Sequence, residues 1–519
     1  MYKTRIVSLI FFTLLFSACA GKHAGIKEDR PFTLSAESSP SLYEYAQEDI
    51  LSKAPMTGFH PLENHLDSLA ARVLLCKAAK KRITVQYFTF HGDGAGAILT
   101  KELIDAADRG VKVDVLIDDI DIAYDDDDIA IINAHKNIQV RVFNPTNYRR
   151  ALHYVEMGIY HDKVGRRMHN KSFTADNSMA VFGGRNIGNI YFALDTKSFF
   201  IDNDVLAAGP LVNEITNQFD IYFNNAYSVD FEEIAQGHID DIQTLLERYT
   251  KGITSKDFLL LKEAIQSQAF YKAFINKELQ LYFGNAQLFY DMPQKITTDK
   301  NNITYQMRRN VPQEIYAKKC FYMVSPYFIP NESVMSRLQR MIDKGVDVKI
   351  LTNSLESSDQ TSVYAYYAQY HKRLLEMGVK LYEVHPYAFE KDILNQHYNH
   401  LKKMPRASLH AKTTLIDDDI FAIGSVNMDP RSRKLNTELV GFIQNEALNT
   451  YEKVVFDIMT SPRNAYALSL EYDEDNNSKV AWKAIIQGES KTFYHDGDAS
   501  LWLRMVKNLS LWFPIRDFL

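Results

Sequence analysis

The stretch RMHNKSFTADNS, residues 167–178, sets His169 two places before Lys171 and seven before Asp176. Along an extended strand the side chains at i and i+2 share a face, so an imidazole and an ammonium would point at one spot. That pair suits an anion that the imidazole attacks while the ammonium offsets its charge. A displacement also needs a group that protonates what leaves, and this stretch has none. The chain provides it in LHAKTTLIDDDIFAIGSVN, which begins at Leu409. His410, Lys412, Asp417, Gly424 and Asn427 each lie 241 residues after His169, Lys171, Asp176, Gly183 and Asn186. Several positions in one register indicate a duplicated unit. The pairs His161/Lys163 and His400/Lys402 also read His-x-Lys, but Met168 and Ala407 stand where the aspartate belongs, so these read as incidental surface residues.

The elements that would carry the motifs repeat as well. RITVQYFTF (82–90) and NIQVRVFNP (137–145) are apolar, β-branched runs, and AADRGVKVDVLIDD (106–119) reads as a helix end, a glycine stop and a buried strand. KCFYMVSPYFIPN (319–331), IDKGVDVKILTNS (342–354) and GVKLYEVHP (378–386) answer them, with Gly345 placed 235 residues after Gly110 and Tyr327 placed 240 after Tyr87. Strands alternating with helical stretches predict an α/β fold. We expect two similar α/β/α lobes with mixed, mainly parallel sheets, related by a pseudo-two-fold axis, with one active site between them. The first lobe is expected over residues 56–275 and the second over 276–519, with a mostly helical crossing in 230–285.

The bulk numbers agree with such a protein. At 519 residues the chain is long enough for two cores, and 46% hydrophobic with 24% charged residues is ordinary for a globular protein. A net charge of −6 gives no support to a general nucleic-acid binder. Lys3 and Arg5 precede the apolar run IVSLIFFTLLFSA, too short to span a bilayer well, so residues 1–18 read as a secretory signal. FSAC resembles a bacterial lipoprotein cleavage box, which implies lipid-modified Cys19 followed by a flexible tether to residue 55. An ordinary signal peptide with a chance cysteine is the alternative. Ala20 is not the aspartate that retains lipoproteins in the inner membrane, so a Gram-negative source would imply the outer membrane. Cys76 and Cys320 read as buried free thiols.

Two copies of H-x-K-x4-D-x6-G-[GS]-x-N resemble the signature of the phospholipase D superfamily. MHNKSF…GGRNIGN and HAKTTLID…GSVNMDPRS…NTE are similar to the bacterial cardiolipin synthase C-like branch, from about Leu69 onwards. The resemblance implies a phosphohistidine mechanism that uses no cofactor and no metal. It implies an acidic residue on a later strand that fixes each imidazole. Glu438 matches that place behind His410, and either Asp202 or Asp204 would serve His169. Asp176 and Asp417, although within the catalytic signature, are expected to hold the turn after the strand.

The chemistry of the residues runs the same way. Lys171 and Lys412 neutralise the non-bridging oxygens of a phosphodiester, and Asn186 and Asn427 donate hydrogen bonds to them. One histidine attacks phosphorus and the other protonates the leaving alcohol. By analogy with the family that the motifs resemble, we expect His169 as nucleophile and His410 as acid and base, with Glu438 behind His410 raising its pKa. Ser425 is expected as a secondary phosphate or turn contact that Gly184 lacks. YDDDDI (124–129) reads as a solvated loop, and Tyr87, Phe88, Tyr327 and Phe328 as core or cleft-edge aromatics. Near the C-terminus Leu501, Met505, Val506, Leu509 and Phe513 fall at helical spacing opposite Arg504, Lys507 and Asn508, which suits a helix at a membrane interface or one docked on the core.

The expected activity is phosphatidyl transfer between membrane phospholipids such as phosphatidylglycerol and phosphatidylethanolamine. Hydrolysis to phosphatidic acid is the alternative. A nuclease or an inactive envelope binding module is a weaker reading. No nucleic-acid partner and a monomeric state are expected.

Overall fold

A computed structural model of the chain describes residues 53–120, 126–148, 152, 155–156, 165–235, 244–245, 255–297, 317–389, 405–513 and 515–519. The signal peptide, Cys19, nearly all of the tether and the pairs His161/Lys163 and His400/Lys402 lie outside these residues. The first half contributes β1 (Thr57–Pro61), β2 (Arg82–Tyr87), β3 (Lys112–Asp118), β4 (Ile138–Phe143), β5 (Ser172–Ala175), β6 (Met179–Gly183), β7 (Ser198–Ile201), β8 (Asp204–Ala208) and β9 (Ser228–Asp230). The second contributes β10 (Tyr282–Tyr290), β11 (Cys320–Val324), β12 (Asp347–Asn353), β13 (Lys380–Val384), β14 (Arg406–Leu409), β15 (Thr413–Ile416), β16 (Ile420–Gly424), β17 (Leu439–Gln444), β18 (Ala465–Tyr472), β19 (Ser478–Ile486) and β20 (Glu489–Phe493).

In the first lobe the strands lie side by side as β9-β4-β3-β2-β5-β6-β8-β1. In the second they run β10-β17-β16-β15-β11-β12-β13-β18-β19-β20. The ladder therefore reads alike outwards from the β1–β10 junction as far as β9 and β18. That junction is itself hydrogen-bonded, with Gly58 opposite Phe283, so the two sheets are one 18-stranded sheet. Within this sheet parallel pairing is confined to β2–β3–β4 and β11–β12–β13, less than expected; β7 and β14 form a separate parallel pair. After each motif histidine the chain returns as an antiparallel hairpin, β5–β6 or β15–β16, which places local antiparallel strands in the middle of each lobe.

Local sequence explains the framework. Asn64 caps the helix His65–Ala78 by accepting from the backbone N–H of Leu66 at 2.8 Å and Asp67 at 3.2 Å. Gly110 and Gly345 end equivalent helices at φ +94° and +79°, a conformation that costs a side-chain-bearing residue about 1 kcal/mol or more. Each lobe has its own core, around Leu69, Val85 and Val115 in one and Ile350, Leu374 and Trp482 in the other. A third cluster joins Phe59, Phe182, Val205 and Leu211 of the first lobe to Leu288, Leu409, Ile423 and Leu439 of the second. At about 1.5–3 kcal/mol for each fully buried large side chain, this shared cluster fixes one lobe against the other.

One detail differs from the sequence reading. The end of the acidic stretch begins a helix, Asp126–Asn133, and Asp126 is buried rather than solvated. The helix Leu501–Ser510 packs on the second lobe through Leu503, with Leu501, Trp502, Met505 and Leu509 exposed. Cys76 and Cys320 are free and buried.

Candidate active site

His169 and Lys171 lie on the extended segment that leads into β5, and His410 and Lys412 on the one that leads into β15. Both lysines fold back on their own motif, Lys171 donating to the carbonyl of His169 at 2.7 Å and Lys412 to that of His410. Asp118, at the end of β3, accepts from the Met168 N–H at 2.7 Å and pairs with buried Arg167. Asn353, at the end of β12, both donates to and accepts from the Leu409 backbone. Asp118 and Asn353 are 235 residues apart, the spacing of Gly110 and Gly345. They are positioning residues for the two motifs, and that repeated offset was the sequence signal for them.

The carboxylates are crossed. Nδ1 of His169 contacts Oε2 of Glu438 at 2.8 Å, and Nδ1 of His410 contacts Oδ2 of Asp202 at 2.5 Å. Glu438 thus serves the histidine of the other lobe, not His410, and Asp202 serves His410, not His169. The cause lies in the backbone. β7 runs parallel to β14 with Ile201 opposite Leu409, so the next residues, Asp202 and His410, emerge together. On the other side Met168 bridges Thr437 in parallel, which brings His169 beside Glu438. The His169 N–H donates to the Thr437 carbonyl and the His410 N–H to that of Ile201, at 2.9 and 2.7 Å.

Asp204 reaches neither histidine. It accepts from Ser68 at 2.7 Å and pairs with Arg72 at 3.0 Å and Arg185 at 3.4 Å, all buried. Arg185 in turn donates to the carbonyls of Leu62, Glu63 and Asp202, so this network braces the backbone that carries Asp202. Asp176 and Asp417 also stay away from the site. Asp176 accepts from the N–H groups of Lys80, Lys81 and Arg82 at 2.8, 2.7 and 2.9 Å. Asp417 does the same for Lys318 and Lys319. Both sit at positive φ in the hairpin turn and tie it to the start of the neighbouring strand, a structural task.

The Ser425 hydroxyl is engaged by the protein itself, accepting from the Leu439 N–H at 3.0 Å. It also donates to Glu438 Oε2, and Ser432 donates to Oε1 at 2.7 Å. Gly184 has the converse reason: a Cβ there would lie 2.1 Å from Asp202 Oδ1. The longer glutamate leaves room for a serine, whereas the shorter aspartate sits against the backbone and demands glycine. Asn186 donates to Tyr191 Oη at 2.9 Å, and Asn427 Oδ1 is buried without a partner. Among the aromatics, Phe88 packs edge-on to His169 at 5.0 Å and beneath the Lys171 ammonium. Tyr191 and Phe200 flank His410. Tyr87 and Phe328 are core, and Tyr327 is half-buried with its hydroxyl on Asp359.

Burial governs the electrostatics. It lowers His169 to about 4, against the opposing pull of Glu438, with Lys171 and Lys412 adding to the fall. It lowers His410 to about 4 as well, Lys412 helping and Asp202 opposing. A carboxylate behind His410 therefore does not raise its pKa above the ordinary value as expected, because desolvation outweighs it. Burial likewise brings Lys171 to about 7 and Lys412 to about 8. Burial by itself would raise both carboxyls, yet the His410 contact takes Asp202 to about 2 and the His169 contact holds Glu438 below its usual value. Ionised carboxylates only accept, so Nδ1 carries the proton in each imidazole and Nε2 is left with its lone pair. Between about pH 4 and 7 the site thus presents two neutral imidazole nitrogens with free lone pairs and two ammonium groups.

A family model described as cardiolipin synthase, PLD-like domain, matches residues 74–225 and again 314–459, each stretch holding one motif. The chain belongs to this family. Cardiolipin synthase C of Escherichia coli is 34% identical to this PLD-like chain over 401 residues, 75% of this chain and 82% of that one. An uncharacterised protein of Helicobacter pylori is 31% identical over 463 residues, 88% of each chain. The crystal structure of phosphatidylserine synthase from Haemophilus influenzae covers 92% of this chain with a TM-score of 0.56 at 12% identity, a likeness of fold. Members of the PLD-like family are enzymes, and the duplicated lobes of this chain share that family's architecture.

Proposed function

We propose that the protein is a phosphatidyltransferase of the cardiolipin synthase type. It would move a phosphatidyl group from one phospholipid to the headgroup alcohol of another, with phosphatidylglycerol and phosphatidylethanolamine as the substrate class. The observation that carries this reading is the crossed pair of histidines, each with Nδ1 held by a buried carboxylate of the other lobe. Nε2 of one imidazole attacks phosphorus, the P–N bond forms and the P–O bond to the headgroup breaks. The other imidazole gives the departing oxygen a proton, then takes one from the incoming alcohol as the P–O bond re-forms. Lys171 and Lys412 stabilise the charge on the non-bridging oxygens, so chelators should leave the rate unchanged.

His169 is assigned as nucleophile and His410 as acid and base. Glu438 accepts from His169, Ser425 and Ser432, whereas Asp202 accepts from His410 and, through Oδ1, from the Asn203 N–H alone. The phosphodiester's own charge favours the imidazolium of His410 once it is bound. Transfer is favoured over hydrolysis because both histidines are buried, only 6% exposed, which limits water at the intermediate. The apolar run before Cys19 supports a lipid-anchored envelope location, and labelled palmitate should enter the wild type but not Cys19→Ser.

Product analysis tests the reading. Purified protein incubated with phosphatidylglycerol, with and without phosphatidylethanolamine, should yield cardiolipin and a free headgroup. His169→Ala and His410→Ala should each abolish it. Phosphatidic acid as the main product would establish a hydrolase instead, and substantial turnover by either variant would end the two-histidine mechanism.

A further inference from the structure

The C-terminal helix is amphipathic the wrong way round for a soluble surface. It is held to the protein through Leu503, which packs on the second-lobe core, and Lys507, which pairs with Asp496 at 2.7 Å, while Asn508 stays exposed. Leu501, Trp502, Met505, Leu509, Trp512 and Phe513 are turned outward. Leu501 is 78% exposed, Trp502 71% and Trp512 82%. Tryptophan at both ends of such a face suits the boundary between headgroups and acyl chains.

The face is fixed in place and its surroundings are cationic. Leu511, Ile515 and Leu519 pack on Ile329, Val363 and Tyr366, and the Leu519 carbonyl accepts from the Arg431 N–H at 2.8 Å. The neighbour of Arg431 is Ser432, which holds Glu438, so the tail is bonded to the short helix at the rim of the catalytic cleft. Arg431, Arg433 and Arg516 gather here, Arg504 lies on the helix itself, and none of the four forms an ion pair with a carboxylate among the described residues. Nε and Nη1 of Arg433 and Nε of Arg504 are buried without any hydrogen-bond partner. Guanidinium groups that lack a direct carboxylate hydrogen bond, beside an exposed apolar strip, complement an anionic lipid surface, although Asp429 and Asp517 offset part of the charge of Arg431 and Arg433.

The geometry points to this helix as a membrane-docking surface that seats the catalytic cleft on a bilayer of anionic phospholipid. It lies on the bilayer rather than across it, since no helix among the described residues is long and apolar enough to cross a membrane. The inference rests on the phospholipid substrate proposed above, and it explains how a buried site would meet a substrate held in a membrane.

The test uses the full chain and its own tryptophans. Trp482, the third, is buried at 4% exposure, so Trp482→Phe leaves only the two helix reporters. On vesicles of phosphatidylglycerol with brominated acyl chains, emission of that variant should shift to the blue and be quenched. A Trp502→Phe/Trp512→Phe variant, reporting through Trp482 alone, should show neither change. Trp502→Ser/Trp512→Ser should lower turnover on vesicles roughly tenfold or more while leaving turnover of a detergent-dispersed short-chain substrate unchanged. The inference is overturned if the chain floats with the vesicles and the helix tryptophans stay unquenched. Equal quenching on neutral phosphatidylcholine vesicles, or a blue shift that depends on protein concentration without vesicles, would also overturn it, the last marking an interface between copies. Quenching without turnover of any phospholipid would support the docking surface while rejecting the proposed activity.

Discussion

Asp202→Asn separates crossed from same-lobe pairing. In the wild type the buried Asp202 carboxylate accepts from His410 Nδ1 at 2.5 Å and lies at the end of a strand of the other lobe. The amide loses the charge-assisted hydrogen bond and can present its NH2 to Nδ1, which favours the tautomer with the proton on Nε2. Losing such a contact in a desolvated site is worth about 3–5 kcal/mol of transition-state stabilisation, so transfer should fall by roughly 10²–10⁴-fold. A p-nitrophenyl ester needs no proton on its leaving group, so the first step should survive. A burst of nitrophenol and a phosphorylated peptide containing His169 should then appear, with slow turnover after it. Glu438→Gln should show no burst. Exchange of the imidazole C2 hydrogen, followed by mass spectrometry, reads each histidine's pKa independently of its role. Asp202→Asn should alter the exchange of His410 and leave that of His169 nearly unchanged. The reverse pattern, with His169 altered and His410 unaffected, would refute the crossed arrangement.

The pH dependence of kcat, which reads the bound state, should be a bell. Its acid limb follows protonation of the attacking His169, at about 4 in the free protein, and its alkaline limb, with His410 kept protonated by the bound phosphodiester, follows loss of the lysine charges at about 7 and 8. Lys171→Arg/Lys412→Arg keeps the positive charge at high pH, so the alkaline limb should move upwards even though the rate is lower; a stationary limb would assign it to another group. Because folding lowers both histidines below 6.5, the unfolded chain binds more protons between about 6.5 and 4. Their contribution to stability should therefore be present above that window and be lost as pH falls through it, measured as a falling denaturation midpoint. Gly184→Ser should not restore symmetry with Ser425 but push Asp202 off His410, costing at least roughly 10²-fold in turnover, while a variant of near wild-type activity would show that the backbone gives way. Asp176→Ala removes the acceptor for three backbone N–H groups and should cost about 3–5 kcal/mol of stability with little change in kcat of the folded fraction, as denaturant melts paired with active-site titration would reveal.

The sequence alone carried whatever depends on local geometry or on repetition. His169 and Lys171, like His410 and Lys412, are two residues apart, and a shared register of 241 told that both motifs belong to one duplicated unit. Glycine stops and β-branched runs located the strands β2, β3, β11 and β12 for the same reason, since these signals act over a few residues. The carboxylates were legible as types but not as partners. Glu438 lies 269 residues from the histidine it holds and Asp202 lies 208 from its own, and only the parallel approach of β7 to β14 and of Met168 to Thr437 closes those distances. Ser425 and Gly184 looked like a gain and a loss of a phosphate contact, whereas packing makes them the complements of a long and a short acid. The depressed imidazoles were equally out of reach, because a neighbouring carboxylate is visible in a sequence while desolvation is a property of everything folded around it. Tertiary structure decided the outward turn of Trp502 and Trp512 too: helical spacing defines which residues share a face, but only the docking of Leu511, Ile515 and Leu519 fixes which way that face looks.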